Sequence, residues 1–445
     1  MASETHEKNG HPEPAKASPS KAFFVEMLTQ DISLSDCILD LVDNSIHSLI
    51  RRENLDVMEH LIDGTSPPKV RAQVNIEFTP SKFSISDTCG GISIEEARNQ
   101  VFLLGKPTVD KKHAGLGVYG IGMKRALFKM GRSICVSSNT QVEEWKINIE
   151  VDSWESSDEW DFPFAYAREK KRPSGGTSLE VSRLYPVITT QFGSKALQDI
   201  LEKRIATAYA LFLQAGLGIR INTATPRPDL PEIGGSKQLQ PVRKLTREDG
   251  VDILIMAGIT PATDRDPRGW YVFCNGRMVL AANRTDDTGW GVNEHPAFHS
   301  KFNHFIGYVC FRSKDVRKLP WKTTKEGIVR ESPVYQRALA EMRIQSRPIL
   351  DFFNRMYPDD PAKSEPEHKV FQQARGRPVK DIASAPNKAF EATLLRTTDD
   401  DLVSIQYKRP KRKIKKLKEA INKPGASAAR VGELTFDEFY ERHCK

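Results

Sequence analysis

The sequence predicts an α+β protein made of two successive domains. Three observations carry that expectation. Helical and strand patterns alternate over about 23–181. A second block at about 185–357 has a long helix, strands and a closing helix of its own. A basic run at 408–418 stands apart from both. The chain has 445 residues, 39% hydrophobic and 28% charged, which suits two to four domains at roughly 100–200 residues each. That composition is too apolar for a wholly disordered chain.

The elements follow in order. Residues 1–20 are rich in Pro, Ser, Lys and Glu without periodicity and read as a disordered arm. Residues 21–34 carry Phe23, Phe24, Val25, Met27 and Leu28, an apolar segment suited to an arm. Over 35–51 the stripe Ile38, Leu41, Val42, Ile46 and Leu49 predicts a helix. Residues 74–78 and 82–86 read as two strands joined at Thr79-Pro80. Ser93-Ile94-Glu95-Glu96 has the form of a capping box opening a second helix. A glycine-rich stretch at 115–122 runs into a third helix ending near Gly131, and strands follow at 133–138, 144–151 and 177–182.

The second block predicts a helix over 194–214, strands near 251–256, 270–274 and 305–312, and a helix over 333–355. The segment 357–367 reads as a linker. The expected domains are therefore an arm at 1–20, a first domain at 21–184, a second at 185–357, and a linker with a basic tail at 358–445.

Several function classes are excluded by motif. HExxH, GxSxG and GxxxxGK[ST] are absent. Six cysteines are scattered without CxxC spacing, so a reducing compartment and no zinc site are expected. No apolar run reaches the roughly 18 residues of a membrane span, and the first residues lack a signal-peptide core.

Four segments carry chemistry. In Asp40-Leu41-Val42-Asp43-Asn44, Asp40 and Asn44 stand four apart and share a helix face. A carboxylate and an amide there can orient a water and a hydrated Mg²⁺; a solvated helix edge explains the pair equally well. Asp87-Thr88-Cys89-Gly90-Gly91-Ile92 follows a strand, and its glycines let backbone approach a ligand, though a plain turn would look the same. Gly115-Leu116-Gly117-Val118-Tyr119-Gly120-Ile121-Gly122-Met123-Lys124 leads into a helix, the composition of a phosphate cradle. Its GxGxxG could suggest a dinucleotide fold, but no strand precedes it. Gly175-Gly176-Thr177 opens a strand.

In this order and spacing the four segments resemble the N, G1, G2 and GT boxes of the GHKL ATPase superfamily, which includes gyrase B, the HSP90 chaperones, MutL, the MORC ATPases and the sensor histidine kinases. The resemblance covers about 23–182. It implies a Bergerat-type α/β sandwich that binds ATP with Mg²⁺. Asp40 would stand where the family places the Glu that activates water. Asn44 would hold the metal. Asp87 would accept from the adenine amino group, with Gly91 admitting the base and Thr177 supporting the pocket. Gly115, Gly117, Val118, Tyr119, Gly120, Ile121, Gly122 and Met123 would wrap the phosphates with Lys124 nearby. The lid would span about 99–114, with Lys106, Lys111 and Lys112 facing phosphate. Asp40 in place of Glu sets the carboxylate back by about 1.5 Å, and a misplacement near 1 Å can cost about 10²-fold in rate. Cys89 replaces a usual Gly, and its small side chain should leave the turn intact.

The second block resembles an S5-like transducer domain. Phe273-Cys274-Asn275-Gly276-Arg277 is similar to the strand-turn of MutL-type and MORC-type transducers. Leu319-Pro320-Trp321-Lys322-Thr323-Thr324-Lys325-Glu326-Gly327 looks like the loop that brings a lysine to the γ-phosphate, with Lys325 ahead of Lys322; a solvated surface loop is the other reading. The layout is nearer to MORC-type or MutL-type ATPases than to a sensor kinase, gyrase, HSP90 or a MutL endonuclease.

The net charge is +8, and the eight cations of 408–418 account for all of it. That run can neutralise nucleic-acid phosphates, serve nuclear import in a eukaryote, or remain a solvated charge run. Two functions stay open: an ATP-gated homodimeric clamp on DNA or another partner with slow hydrolysis, and a nucleotide switch or scaffold with little turnover. A cytoplasmic or, in a eukaryote, nuclear location is expected.

Overall fold

Strands β1 (Gln73–Thr79) and β2 (Lys82–Asp87) form the antiparallel hairpin that the sequence predicts, paired Ile76 to Ile85 and Phe78 to Phe83. The structure is a computed structural model; it describes residues 20–103, 115–116, 120–261, 268–357, 365–394, 405 and 408–444. The arm at 1–19 and Lys106, Lys111, Lys112, Gly117, Val118 and Tyr119 lie outside the described residues. The chain divides into two units, 1–395 and 396–445.

In the first unit, β3 (Gly131–Asn139), β4 (Glu143–Glu150), β5 (Phe164–Glu169), β6 (Gly176–Leu184) and β7 (Gly218–Ile221) join the hairpin in one sheet, in the order β5-β4-β3-β6-β2-β1-β7. Burial alternates along β1 and β2, so Val74, Ile76, Phe78, Phe83 and Ile85 line one face. Helices Leu34–Glu53 and Gly122–Met130, packed on each other, accompany that sheet. The predicted stripe Ile38, Leu41, Val42, Ile46 and Leu49 is 0–1% exposed. At about 1.5–3 kcal/mol for each buried aliphatic side chain, this contact fixes which face of Leu34–Glu53 turns inward. Together they make the α/β sandwich expected from the sequence.

Two boundaries differ from the sequence reading. The first sheet does not end at 184: β7 pairs parallel with β1, Val74 to Ile219. The helix expected over 194–214 is two helices, Lys195–Ala208 and Ala210–Gln214, parted at Tyr209. No helix-breaking residue causes the break. It swings the buried Tyr209 hydroxyl onto helix Leu34–Glu53, where it donates to Leu39 O and Asp43 Oδ1, each at 2.8 Å.

The second sheet follows two short strands, β8 (Ile233–Gly235) and β9 (Leu239–Gln240). Its members are β10 (Val242–Glu248), β11 (Val251–Ile259), β12 (Gly269–Cys274), β13 (Arg277–Asn283) and β14 (Phe305–Arg312), ordered β10-β11-β14-β12-β13. Every residue of β11 and β12 is buried, which explains why both strands are almost wholly apolar rather than alternating, the ion-paired Asp252 being the exception in β11. Helix Pro333–Met356 packs across β11. The segment read as linker and tail from 358 is in part integral here. Residues 365–394 supply β15 (Arg375–Arg377), paired with β8, and β16 (Glu391–Ala392), paired with β9.

The second unit contains helices Lys411–Ala420 and Ala428–His443. The basic run is helical because Lys and Arg favour helix, and Pro410 stands as its N-cap. Among the described residues, no helix is long and apolar enough to cross a membrane.

Candidate functional site

Helix Leu34–Glu53 starts with Ser33 accepting from Asp36 N, and its periodicity does the rest. Asp40, Asn44, His47, Ser48 and Arg51 recur on one face and line an open cleft of about 1050 Å³. The facing wall is Gly91, Ile92, Glu96 and Val101, and the floor is Gly120, Ile121, Gly122, Met123 and Arg125. Thr323 and Lys325 enter from the second sheet's loop.

Asp87 ends β2 and does not itself line this cleft; it is tied to the helix Leu34–Glu53 through Ser45. Its carboxylate accepts from Ser45 Oγ at 2.9 Å, from Cys89 N at 2.8 Å, and from the Thr177 backbone. Burial nevertheless pushes its carboxyl above the ordinary value, those three donors notwithstanding. Cys89 leaves the turn intact, as expected, and its own thiol is pushed up by burial. Gly91 sits at φ 75°, and a Cβ there would lie 1.8 Å from Asn139 O. Only glycine lets this turn close on the end of β3. The Thr177 hydroxyl lies 2.9 Å from Ser138 Oγ, and Ser138 Oγ in turn accepts from Ile92 N at 2.8 Å.

The phosphate-cradle segment is described at Gly115, Leu116 and 120–124. Gly122 opens its helix directly over Asp40: a Cβ there would stand 3.0 Å from Asp40 Oδ2. Lys124 is 3% exposed and does not line the cleft; its Nζ donates to Val101 O at 2.8 Å and Leu103 O at 2.6 Å. The next residue, Arg125, does line it. Its Nη2 lies 2.6 Å from Asp40 Oδ2.

The second sheet reaches in through two turns. Between β12 and β13, Asn275 Nδ2 donates to Gly115 O at 3.0 Å, and Arg277 Nε donates to Asp43 Oδ1 at 3.1 Å. In the loop 321–328, Lys325 adopts φ 55° and sends Nζ to within 2.8 Å of Asp43 Oδ2 and 3.6 Å of Asp40 Oδ1. Left-handed backbone at a lysine costs of order 1 kcal/mol and persists where the surroundings demand it. Lys322 is exposed and outside the cleft.

Electrostatics separate the two aspartates of the helix. Burial alone would raise the Asp43 carboxyl, but Lys325 and Arg277 outweigh it and hold it below its ordinary value. Burial would lower Arg277, yet Tyr209 and Asp43 keep it raised. Asp43 is thus a satisfied structural anion, whereas Asp40 faces the cleft. Asn44 is exposed, and its amide makes no hydrogen bond among the described residues. It offers a hard oxygen one turn from Asp40, which fits a cation that takes its other ligands from phosphate and water.

Residues 32–175 match the family model for the histidine kinase-, DNA gyrase B- and HSP90-like ATPases. Residues 32–175 are thus a domain of the GHKL ATPase type, which supports ATP binding. No curated protein matches the sequence. The GHKL match covers the first sheet from the helix Leu34–Glu53 to the start of β6 and leaves the second sheet outside it.

Sequence reasoning alone did not find Asp43, Ser45, His47, Arg51, Glu96 or Arg125. The first five lie on, or opposite, a helix face whose spacing was legible. Arg125 carried no signal, since a charge in a first helical turn usually faces water.

Proposed function

We propose that the protein is a slow, Mg²⁺-dependent ATPase of MORC or MutL type that closes as an ATP-gated dimeric clamp, with DNA as the clamped partner. The observation that carries this reading is Lys325: a residue of the second sheet's loop stands in the cleft of the first, between Asp43 and Asp40. A nucleotide's terminal phosphate placed there would tie the two sheets together, and a lysine would stabilise charge on the transferring group.

In this reading Asp87 accepts from the adenine amino group beside Gly91 and Thr177. Gly115, Gly120, Ile121, Gly122 and Met123 wrap the phosphates, and Gly117, Val118, Tyr119 and Lys106 are further candidates for binding them. Asn44 supplies the protein oxygen to Mg²⁺, which when bound neutralises the phosphates. Asp40 takes the proton of the attacking water as its oxygen bonds to the terminal phosphorus and the bond to the bridging oxygen breaks. Slow turnover follows from the shorter Asp40 side chain.

Helix Lys21–Thr29 supports the dimer. Lys21 Nζ donates to Trp154 O at 2.8 Å and to Ser157 O and Glu159 O at 2.6 Å, which docks the helix start. Phe23 and Met27 remain 56% and 53% exposed on one face. Sedimentation with a non-hydrolysable ATP analogue tests the clamp. A shift from monomer to dimer is the expected result; a monomer at nucleotide saturation and micromolar protein refutes it. A second reading, a switch with little turnover, is favoured by one observation: Asp40 has a cation at each carboxylate oxygen, Arg125 and Lys325. Single-turnover hydrolysis with Mg²⁺ separates the two.

A further inference from the structure

We infer that Arg125 distinguishes a nucleoside triphosphate from a diphosphate, and that it does so by exchanging its ion pair with Asp40 for the terminal phosphate. The inference rests on the nucleotide-site reading above and adds a residue to it.

The starting point is the ion pair itself. Arg125 and Asp40 are 12% and 6% exposed, and the contact is 2.6 Å. Both line the cleft. An arginine fork is best satisfied by two acceptors in its plane. Here the pair is incomplete: Arg125 Nε is buried and has no acceptor among the described residues. Burying a donor without an acceptor is costly, so the guanidinium is poised for an acceptor that Asp40 does not provide. A phosphoryl group, with oxygens arranged for bidentate contact, is that acceptor.

Position supports the same ligand. Arg125 lies in the first turn of helix Gly122–Met130, with Arg125 N donating to Ile121 O at 3.0 Å. It therefore rises from the segment that would cradle the phosphates, and it faces Lys325 across Asp40. Each Asp40 oxygen then looks at one cation: Oδ2 at Arg125, Oδ1 at Lys325. An anion between those cations competes with Asp40 for both. When Arg125 turns to it, Oδ2 is released to accept from water. One side chain thereby couples the presence of a third phosphate to the availability of the carboxylate. A diphosphate lacks the group that reaches this point and leaves the ion pair closed.

The test is calorimetric titration of the full chain with a non-hydrolysable ATP analogue and with ADP, each with Mg²⁺. Arg125→Ala should weaken the analogue at least tenfold, which is about 1.4 kcal/mol, and change ADP less than twofold. Arg125→Gln keeps a donor to Asp40 and most of the side-chain volume; it should give the same split if Arg125→Ala unfolds. Asp40→Asn frees the guanidinium, so it should tighten the analogue severalfold with Arg125 present and not in the Arg125→Gln background. Equal weakening of both nucleotides, or of neither, in Arg125→Gln overturns the inference and leaves the nucleotide site standing. Wild-type protein that binds neither nucleotide overturns the site and this inference together.

Discussion

Arg277 Nε lies 3.1 Å from Asp43 Oδ1, and the two side chains are 3% and 2% exposed. They are separated by 234 positions in sequence. The Arg277 guanidinium also stacks on Tyr209, 4.7 Å from its ring centroid. Asp43 therefore gathers Arg277, Lys325 and Tyr209 at one carboxylate. This is where the second sheet grips the helix that presents Asp40 and Asn44, about one turn from Asp40 and adjacent in sequence to Asn44.

Removing one partner should be costly. Arg277→Met leaves Asp43 with Lys325 as its remaining cation and Tyr209 as its donor, so the loss should fall below the about 3–5 kcal/mol of a buried charge left wholly unpaired. Thermal unfolding of the variant should show a clearly lower midpoint; an unchanged midpoint means that the pair carries no stability. The pH dependence has a defined sign. Asp43 sits below its ordinary 3.8 in the folded chain, so its contribution is complete above pH 3.8 and is lost as the pH falls through the lower folded value. Asp43→Asn should be less stable at neutral pH and show a flatter acid limb than wild type.

The sequence made some of this legible and hid the rest for physical reasons. A four-residue spacing on an amphipathic helix puts Asp40 and Asn44 on one face whatever the tertiary structure, and the capping box at Ser93 and Glu96 is likewise local. Lys325 was legible through its loop, but its nearest partner was not. Asp43 lies inside the same motif, and nothing local marks it as buried or says that a turn 234 positions away will reach it. Tyr209 shows the opposite failure. The pattern over 194–214 is uninterrupted, and nothing in it marks Tyr209, whose hydroxyl bonds Leu39 and Asp43, as the point where the helix divides. Strand β7 is four residues long and pairs parallel with β1, so its membership of the first sheet is a matter of topology rather than of pattern.

Asp87→Asn should separate folding from binding. The oxygen of the substituted amide, with two lone pairs, can still accept from the backbone donors at Cys89 and Thr177, and its NH₂ can donate to Ser45 Oγ with the hydroxyl reversed. The substitution also removes a carboxyl that burial raises, whose ionised form is disfavoured in the fold as the pH rises above 3.8. The nucleotide-free variant should therefore melt no lower than wild type at neutral pH. It should lose ATP, because a second donor would face the adenine amino group and leave both unpaired. Tight ATP binding by the variant would remove Asp87 from the adenine pocket.

Asp40 can be tested by length. Asp40→Ala should retain ATP binding, tightened severalfold as Arg125 is freed, and lose residual turnover. Asp40→Glu restores the missing methylene and should speed turnover by up to about 10² if that offset limits the rate. Wild-type rates in Asp40→Ala would place water activation elsewhere. Lys325→Ala should lower single-turnover rate, and Lys322→Ala, at an exposed position outside the cleft, should not.

The basic helix gives the last prediction. Helix Lys411–Ala420 carries Lys411, Arg412, Lys413, Lys415, Lys416 and Lys418, and Lys408 and Arg409 precede it. Three of these cations crowd the first helical turn, where the positive end of the helix dipole disfavours them. An anionic partner would relieve that repulsion, so duplex binding should stabilise this helix as well as neutralise it. With about six cations on phosphates, the log–log salt slope should be near −5, at about −0.9 per contact. The run 408–418 holds no aromatic residue, so base stacking is absent from it and binding should be insensitive to sequence. Charge outside the run is balanced, so deleting 408–418 should remove most duplex affinity and leave ATP binding intact. Titrations at several salt concentrations, with full-length and deleted protein, decide the matter. Equal affinity of the two would assign DNA to the body of the protein, and no binding by either at low salt would leave the basic helix to a protein partner.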